Sequence, residues 1–368
     1  MQSLEMSADW SAPEASAPCL RGRLEPEFRE SDCRSPHPPR VLRAGTDLGR
    51  LLGERYVVLD WIGRGGMADV FLARDVLLGQ LVAVKILAKE LRGIGAHRDR
   101  MLREAELAVA VEHENVVKTL EAGIAVDGTP FIVLEALVGE TLHDYLERNC
   151  AMPLAQALPL IRQLAKGLRA VHASGIVHGD IKPKNVFLCG PINEPDNVKL
   201  IDFGLARPSG PDIAALDQET IAGTLEYLAP EQAVADALDE RSDIYGFGVI
   251  AFRWLTGELP FETHLGTQLL VHQLTSPAPP MSWLCAEIPP ALEALVLVAM
   301  RKAKENRYQS MDALLFDIEE IEAGEKVIVG APVVTYPDTY LPETELGRRA
   351  LVALQNACHE RMRLPRVA

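Results

Sequence analysis

His178-Gly179-Asp180-Ile181-Lys182-Pro183-Lys184-Asn185, with Asp202-Phe203-Gly204 beyond it, is the stretch whose reading decides the fold. Asp180 offers a carboxylate able to orient an incoming hydroxyl and accept its proton. Lys182 supplies a cation, Asn185 an amide oxygen for a metal ion, and Pro183 stiffens the loop between them. Val186-Phe187-Leu188-Cys189 and Val198-Lys199-Leu200-Ile201 read as two strands joined by the polar turn 190–197. Antiparallel pairing brings the outer ends of such a hairpin together, so Asn185 and Asp202 meet. Magnesium takes hard oxygens and few protein ligands, which suits an Asp, an Asn and phosphate oxygens.

Upstream, Ile62-Gly63-Arg64-Gly65-Gly66-Met67-Ala68-Asp69-Val70 is a glycine-rich turn. Glycines let backbone N–H groups approach phosphate oxygens closely, although such turns are common without any ligand. Context separates the nucleotide folds. A dinucleotide-binding fold needs a helix directly after the glycines, whereas Val70–Ala73 and Leu81–Ile86 read as strands with Gly79 between them. No Gly-Lys-Ser/Thr closes the loop, which removes the P-loop reading. The strand ending Val82-Ala83-Val84-Lys85 places a lysine where burial demands a partner. Glu104, in a predicted helix over 98–111, is the natural counter-ion, with Glu106 a rival about 200° round the helix. Read without the later motifs, Lys85 and Glu104 could equally be a surface strand residue and a solvated helix charge.

The first 53 residues are rich in Pro, Ser and Arg and read as a disordered tail. A domain over 54–323 follows, with a β-rich small part (54–134), a connection (135–139) and a larger helical part (140–323). Strand-like runs at 56–59, 116–120 and 131–134 belong to the small part. Three- and four-residue apolar spacing predicts helices over 154–174, 243–256, 291–302 and 311–322. Residues 324–368 form an extension without assigned chemistry, in which Leu346, Ala350, Leu351, Leu354 and Ala357 would share one helix face. The formal net charge of −15 argues against nonspecific binding to nucleic-acid phosphates. Cys19, Cys33, Cys150, Cys189, Cys285 and Cys358 are scattered without a Cys-x-x-Cys pair, which fits a reducing cytoplasm. No secretory signal or run of membrane-spanning length is visible, and oligomeric state is not readable.

With these motifs in hand, the chain resembles the Hanks-type bacterial serine/threonine protein kinases over residues 54–323. The resemblance implies an α+β, two-lobed fold with ATP and Mg2+ in the cleft and protein hydroxyls as acceptors. It makes Asp180 the catalytic base, Lys85 the phosphate anchor, Glu104 its partner, and Asn185 and Asp202 the metal ligands. Lys182 and Thr224, the latter in Gly223-Thr224-x-x-Tyr227, join the catalytic group and mark the serine/threonine branch. Ile62, Gly63, Arg64, Gly65, Gly66, Val70 and Ala83 surround the nucleotide, while Glu135-Ala136-Leu137 is the hinge beside adenine, behind which Leu134 guards a rear pocket. Ala229-Pro230-Glu231, Arg307 and Asp243 match structural supports of the family.

The chain departs from the family at Ala68, in place of the third loop glycine, and at Gly179, where relatives carry an arginine that meets a phosphate on the activation loop. Losing that charge-assisted bond, worth about 1.5–3 kcal/mol, implies that phosphorylation of Ser209 or Thr220 is not the main switch. The competing reading is a nucleotide-binding scaffold without turnover. Its support is confined to these two departures, since Lys85, Asp180, Asn185 and Asp202 are all present.

Overall fold

The computed structural model describes residues 47–191, 196–208, 225–263 and 265–324, together with 348, 349 and 352. Most of the 324–368 extension, including most of the predicted apolar helix face, lies outside the described residues, as do Ser209, Thr220 and Thr224.

Six strands form the first sheet: β1 (Leu51–Leu52), β2 (Tyr56–Arg64), β3 (Ala68–Asp75), β4 (Leu81–Leu87), β5 (Thr119–Ile124) and β6 (Pro130–Glu135). Their order is β1-β2-β3-β4-β6-β5, every neighbour antiparallel. The two faces follow from side-chain alternation along β4. Val82, Val84 and Ile86 pack with Tyr56, Val58, Phe71 and Phe131 on one face. The other face turns Leu87 and Ile132 towards Met101 and Ala105 of helix α1 (Gly95–Val109). Lys85 stands in that second row, directly between Val70 of β3 and Ile132 of β6. The strand β1 lies upstream of residue 54, where the sequence places the start of the domain. Leu52 is fully buried, and Asp47 pairs with Arg50 and Arg92.

The helical part comprises α2 (Leu142–Asn149), α3 (Leu154–Ala173), α4 (Pro230–Ala233), α5 (Glu240–Thr256), α6 (Gly266–Thr275), α7 (Pro290–Ala299) and α8 (Met311–Glu322). Helix α5 is apolar all round its middle and correspondingly buried, from Ile244 and Tyr245 through Phe252 to Trp254. Its ends are set locally: the Asp239 carboxylate accepts from the Arg241 N–H, and Gly257 at φ +81 closes the last turn on the Arg253 carbonyl. The predicted helices over 98–111, 154–174, 243–256, 291–302 and 311–322 all appear, with ends shifted by a few residues, whereas the apolar spacing does not predict α2 or α6.

A second sheet, ordered β10-β9-β7, carries the polar loop between the two parts. It consists of β7 (Gly139–Thr141), β9 (Val186–Cys189) and β10 (Asn197–Leu200), so the predicted hairpin gains a third strand directly after the connection 135–139. Two-residue strands β8 (Ile176–Val177) and β11 (Arg207–Pro208) pair beside it. Gly139 is required where it stands. Its φ is +143, and a Cβ there would lie 2.0 Å from the Leu188 carbonyl oxygen. Gly139→Ala should therefore part β7 from β9 and cost about 1–3 kcal/mol, read as a fall in thermal midpoint.

Candidate active site

Lys85 Nζ lies 2.5 Å from Glu104 Oε1 and 2.8 Å from Asp202 Oδ1. Glu104 is almost fully buried on the inner face of α1 and Glu106 is exposed, which decides between the two rivals. Burial alone would lower the lysine pKa. The Asp202 and Glu104 carboxylates outweigh it and hold the ammonium charged well above the ordinary range. Asp202 is shifted the opposite way. Desolvation would raise it, yet the Lys85 charge and the Gly204 N–H keep it far below the usual carboxylate value. Asp202 also sits at φ +75, in the left-handed region, with Gly204 donating its N–H to Oδ1 at 3.0 Å.

Asp180, Lys182 and Asn185 are brought together. Lys182 Nζ donates to Asp180 Oδ2 at 2.7 Å and Asn185 Nδ2 to the same oxygen at 3.0 Å. Asn185 also donates to the Asp180 carbonyl at 2.8 Å, so its amide nitrogen is fully committed and the amide oxygen is its remaining ligand atom. Ile201 N–H bonds the Asn185 carbonyl at 2.9 Å, which sets Asp202 next to Asn185. Asp243 braces the loop from behind, accepting from the N–H groups of His178 (2.7 Å) and Gly179 (2.8 Å) and pairing with His172 Nε2 (2.9 Å). His178 is wholly buried against Phe203, and desolvation lowers its pKa, which suits a neutral anchor rather than an acid–base group.

The loop after β2 is open where a ligand would enter. Gly65 N–H bonds the Ala68 carbonyl at 2.8 Å, and the Arg64 guanidinium reaches Glu90 at 3.0 Å. A Cβ at Gly63 or Gly66 would meet no protein atom within 4 Å, so protein packing does not demand glycine there. Ile62 is about half exposed, and Val70, Ala83 and Leu134 are half-buried on the Lys85 face. At the connection, Glu135 spends its carboxylate on the Lys118 N–H and on Lys199 Nζ, both at 2.8 Å. Leu137 makes no backbone–backbone hydrogen bond among the described residues.

Nucleotide and metal fit this donor set. Among the described residues no three His, Cys, Asp or Glu side chains are grouped to hold a metal by themselves. A cation between Asn185 and Asp202 would draw its other oxygens from phosphates and water, as magnesium does. Thr224 lies outside the described residues. Gly179 has φ +73, and a Cβ there would lie 3.2 Å from the Leu205 carbonyl and 4.0 Å from the Arg207 guanidinium. An arginine from the segment after Asp202 thus stands beside the position where the sequence lacks one.

Gln232 and Arg100 have no signal in the sequence. Gln232 Nε2 holds the Gly179 carbonyl at 2.8 Å while its oxygen caps α4 through the Ala229 N–H. Arg100 Nε donates to the Gly204 carbonyl at 3.2 Å. Neither has a periodic signature, because each acts on a distant backbone carbonyl.

The protein kinase domain family matches residues 56–315. Among curated proteins the chain is 35% identical over 290 residues to the serine/threonine-protein kinase pkn3 of Myxococcus xanthus, covering 77% of this chain and 53% of that protein. It is 42% identical over 232 residues to pkn2 of the same organism (62% and 28%) and 35% over 277 residues to PknB of Mycobacterium leprae (74% and 44%). The chain thus spans about half or less of the length of these relatives. Among solved structures, the kinase domain of Mycobacterium tuberculosis PknI, as a double mutant, superposes with a TM-score of 0.58 at 22% identity, covering 74% of this chain and 97% of that one. That likeness carries the fold.

Proposed function

Since the chain belongs to the protein kinase domain family, we propose that it transfers the γ-phosphoryl group of ATP to serine and threonine hydroxyls of proteins, its own included, in signal transduction. The observation that carries this reading is the linked set Glu104–Lys85–Asp202 and Lys182–Asp180–Asn185, joined by the Ile201–Asn185 bond.

Each residue has a distinct task. Lys85, held extended by Glu104, anchors the α- and β-phosphates. The backbone around Gly63, Gly65 and Gly66 covers the phosphates, Ile62, Val70 and Ala83 face the base, and Glu135 and Leu137 offer it backbone groups. Asn185 and Asp202 would hold Mg2+, which when bound would neutralise charge on the transferring phosphates. Asp180 orients the acceptor hydroxyl and takes its proton as the new O–P bond forms and the bond to the ADP oxygen breaks. Lys182, already on Asp180, places its cation where charge develops. Thr224 would join Asp180 and Lys182. Positioning and electrostatics do most of this work.

Among the described residues no helix is long and apolar enough to cross a membrane. Consumption of ATP fits a cytoplasmic setting, and the net charge of −15 makes a nucleic-acid acceptor a poor match. The test is transfer from γ-labelled ATP to a generic acceptor, comparing wild type with Lys85→Met and identifying the labelled amino acid. Label on serine and threonine, lost with chelator and in the variant, is expected. Label on tyrosine alone, or tight nucleotide binding without any transfer, would contradict the proposal; the latter outcome would favour the scaffold.

A further inference from the structure

Helix α6 breaks its own apolar pattern. Its buried positions are Leu269, Gln273 and Leu274, so a carboxamide stands one turn beyond Leu269, where the helical period asks for an apolar side chain. Gln273 is wholly buried, and a buried amide is costly unless its polar atoms are bonded. Its Nε2 donates to the Glu226 carbonyl at 2.7 Å and reaches that of Leu225 at 3.5 Å. Its Oε1 accepts from the Tyr245 hydroxyl of α5. Lys302, also wholly buried, donates to the same Tyr245 oxygen at 3.0 Å.

Chemistry fixes the direction of this chain. An ammonium only donates and a carbonyl only accepts, so the Tyr245 hydroxyl donates to Gln273 and the Gln273 amide to the turn Leu225–Tyr227. A cation at one end polarises each donor in turn where the surroundings are dry. The chain ends on backbone beside Asp180, since Tyr227 and Leu228 line a cavity with Gly179, Asp180 and Ile181. Glu231, at the far end of the same segment, is held by Arg307, which also bonds the Lys302 carbonyl at 3.0 Å. Both ends of 225–231 are thus tied through buried groups to Lys302. Lys85, Asn185 and Asp202 bond elsewhere.

We propose that Gln273 is a positioning residue for the acceptor: it sets the turn Leu225–Tyr227 against Asp180 and so keeps in place the wall on which a protein hydroxyl is presented. The inference rests on the kinase reading above. Thr224, assigned there to the catalytic group, directly precedes this turn in the chain. Without Gln273 the Glu226 carbonyl loses its donor, and the turn is free to shift relative to Asp180. Acceptor binding then suffers, whereas nucleotide binding does not.

The test is transfer from γ-labelled ATP to myelin basic protein by the full chain, each substrate varied in turn, in wild type, Gln273→Met and Tyr245→Phe. Methionine removes the polar atoms at nearly constant volume, which a packed interior tolerates best. Gln273→Met should raise KM for the acceptor about tenfold, the upper end of what one hydrogen bond supports, with KM for ATP close to wild type. Tyr245→Phe, which cuts the chain one step earlier and leaves the Gln273–Glu226 bond, should raise it less. The double variant should do no more than Gln273→Met alone. An unchanged acceptor KM in Gln273→Met would overturn the inference. So would an equal rise in both KM values, or a fall in kcat with both unchanged, which marks loss of folded enzyme. Should Gln273→Met fail to fold, Gln273→Leu and Tyr245→Phe supply the same comparison. Absence of transfer by wild type would instead overturn the kinase reading, so the two failures are distinguishable.

Discussion

Asp180→Asn lowers kcat by about 10²–10⁴-fold, the range for removing a positioned proton acceptor, while Mg-ATP affinity changes little. The reason lies in the bonds around the carboxylate. Asp180 Oδ2 accepts from Lys182 and Asn185, and the Asp180 backbone carbonyl accepts from Asn185 as well. A carboxamide of the same shape retains an acceptor oxygen for both donors, so the loop keeps its course. Asp202, Lys85 and the glycine turn, the groups proposed to hold the nucleotide, are untouched. What is lost is the basicity and the negative charge that faces Lys182. Single-turnover kinetics with a peptide acceptor, set against equilibrium nucleotide titration, separates the two quantities. A variant that loses nucleotide affinity in proportion to kcat would show that Asp180 serves binding rather than proton transfer.

Arg307→Ala should destabilise the domain by about 3–5 kcal/mol, the usual cost of removing one partner of a buried ion pair. Arg307 and Glu231 side chains are both wholly buried and meet through two bonds, of 2.7 and 2.8 Å. The guanidinium also caps the carbonyls of Arg241, Arg301 and Lys302, so alanine would strand one carboxylate and three carbonyl oxygens. Arg307→Lys should recover little, because an ammonium cannot form the planar fork. The pH dependence has a definite sign. Burial alone would raise the Glu231 pKa, but Arg307 and the Ser242 hydroxyl hold it below the ordinary value. A depressed carboxylate stabilises the fold above its unfolded pKa of about 4.3 and loses that contribution only as pH falls through the folded value. In Arg307→Ala the stranded Glu231 takes up a proton more easily, so the deficit should be smaller at pH 5 than at pH 8. Chemical denaturation at both values reads this directly.

Much of the site can be read from the sequence because its chemistry is local. The loop from Asp180 to Asn185 fixes its own spacing, and a hairpin of near-equal arms leaves Asp202 beside Asn185 whatever the rest of the chain does. Lys85 and Glu104 are nineteen residues apart, yet a charged group at the end of an apolar strand announces that it needs a partner. The direct Lys85–Asp202 contact is not legible in the sequence, since it joins the two parts of the molecule.

What escapes such reading depends on tertiary neighbours. The run 116–120 reads as a strand because Val116 and Val117 are apolar; in the fold both are buried, and Val116 bridges to Leu200 while Val117 bonds the Leu200 carbonyl. The true strand β5 runs later, over Thr119–Ile124, at a sheet edge where Leu120 and Ile124 face outward, so its alternation is inverted. Helix α2 has only Leu142, Tyr145 and Leu146 to bury and owes its start to the Thr141 hydroxyl accepting from Asp144 N–H. Nothing in the sequence singles out Arg100, whose bond to the Gly204 carbonyl depends on where the fold brings that turn.

The central claim is that a proton acceptor, an ammonium group and two oxygen ligands serve one nucleotide. A crystal structure of the chain with Mg2+ and a non-hydrolysable ATP analogue tests it most directly. The expected result is one cation ligated by Asn185 and Asp202, Lys85 against the α- and β-phosphates, and Asp180 facing the γ-phosphate. Nucleotide bound elsewhere, or Asp180 and Asp202 opening into separate cavities, would contradict it.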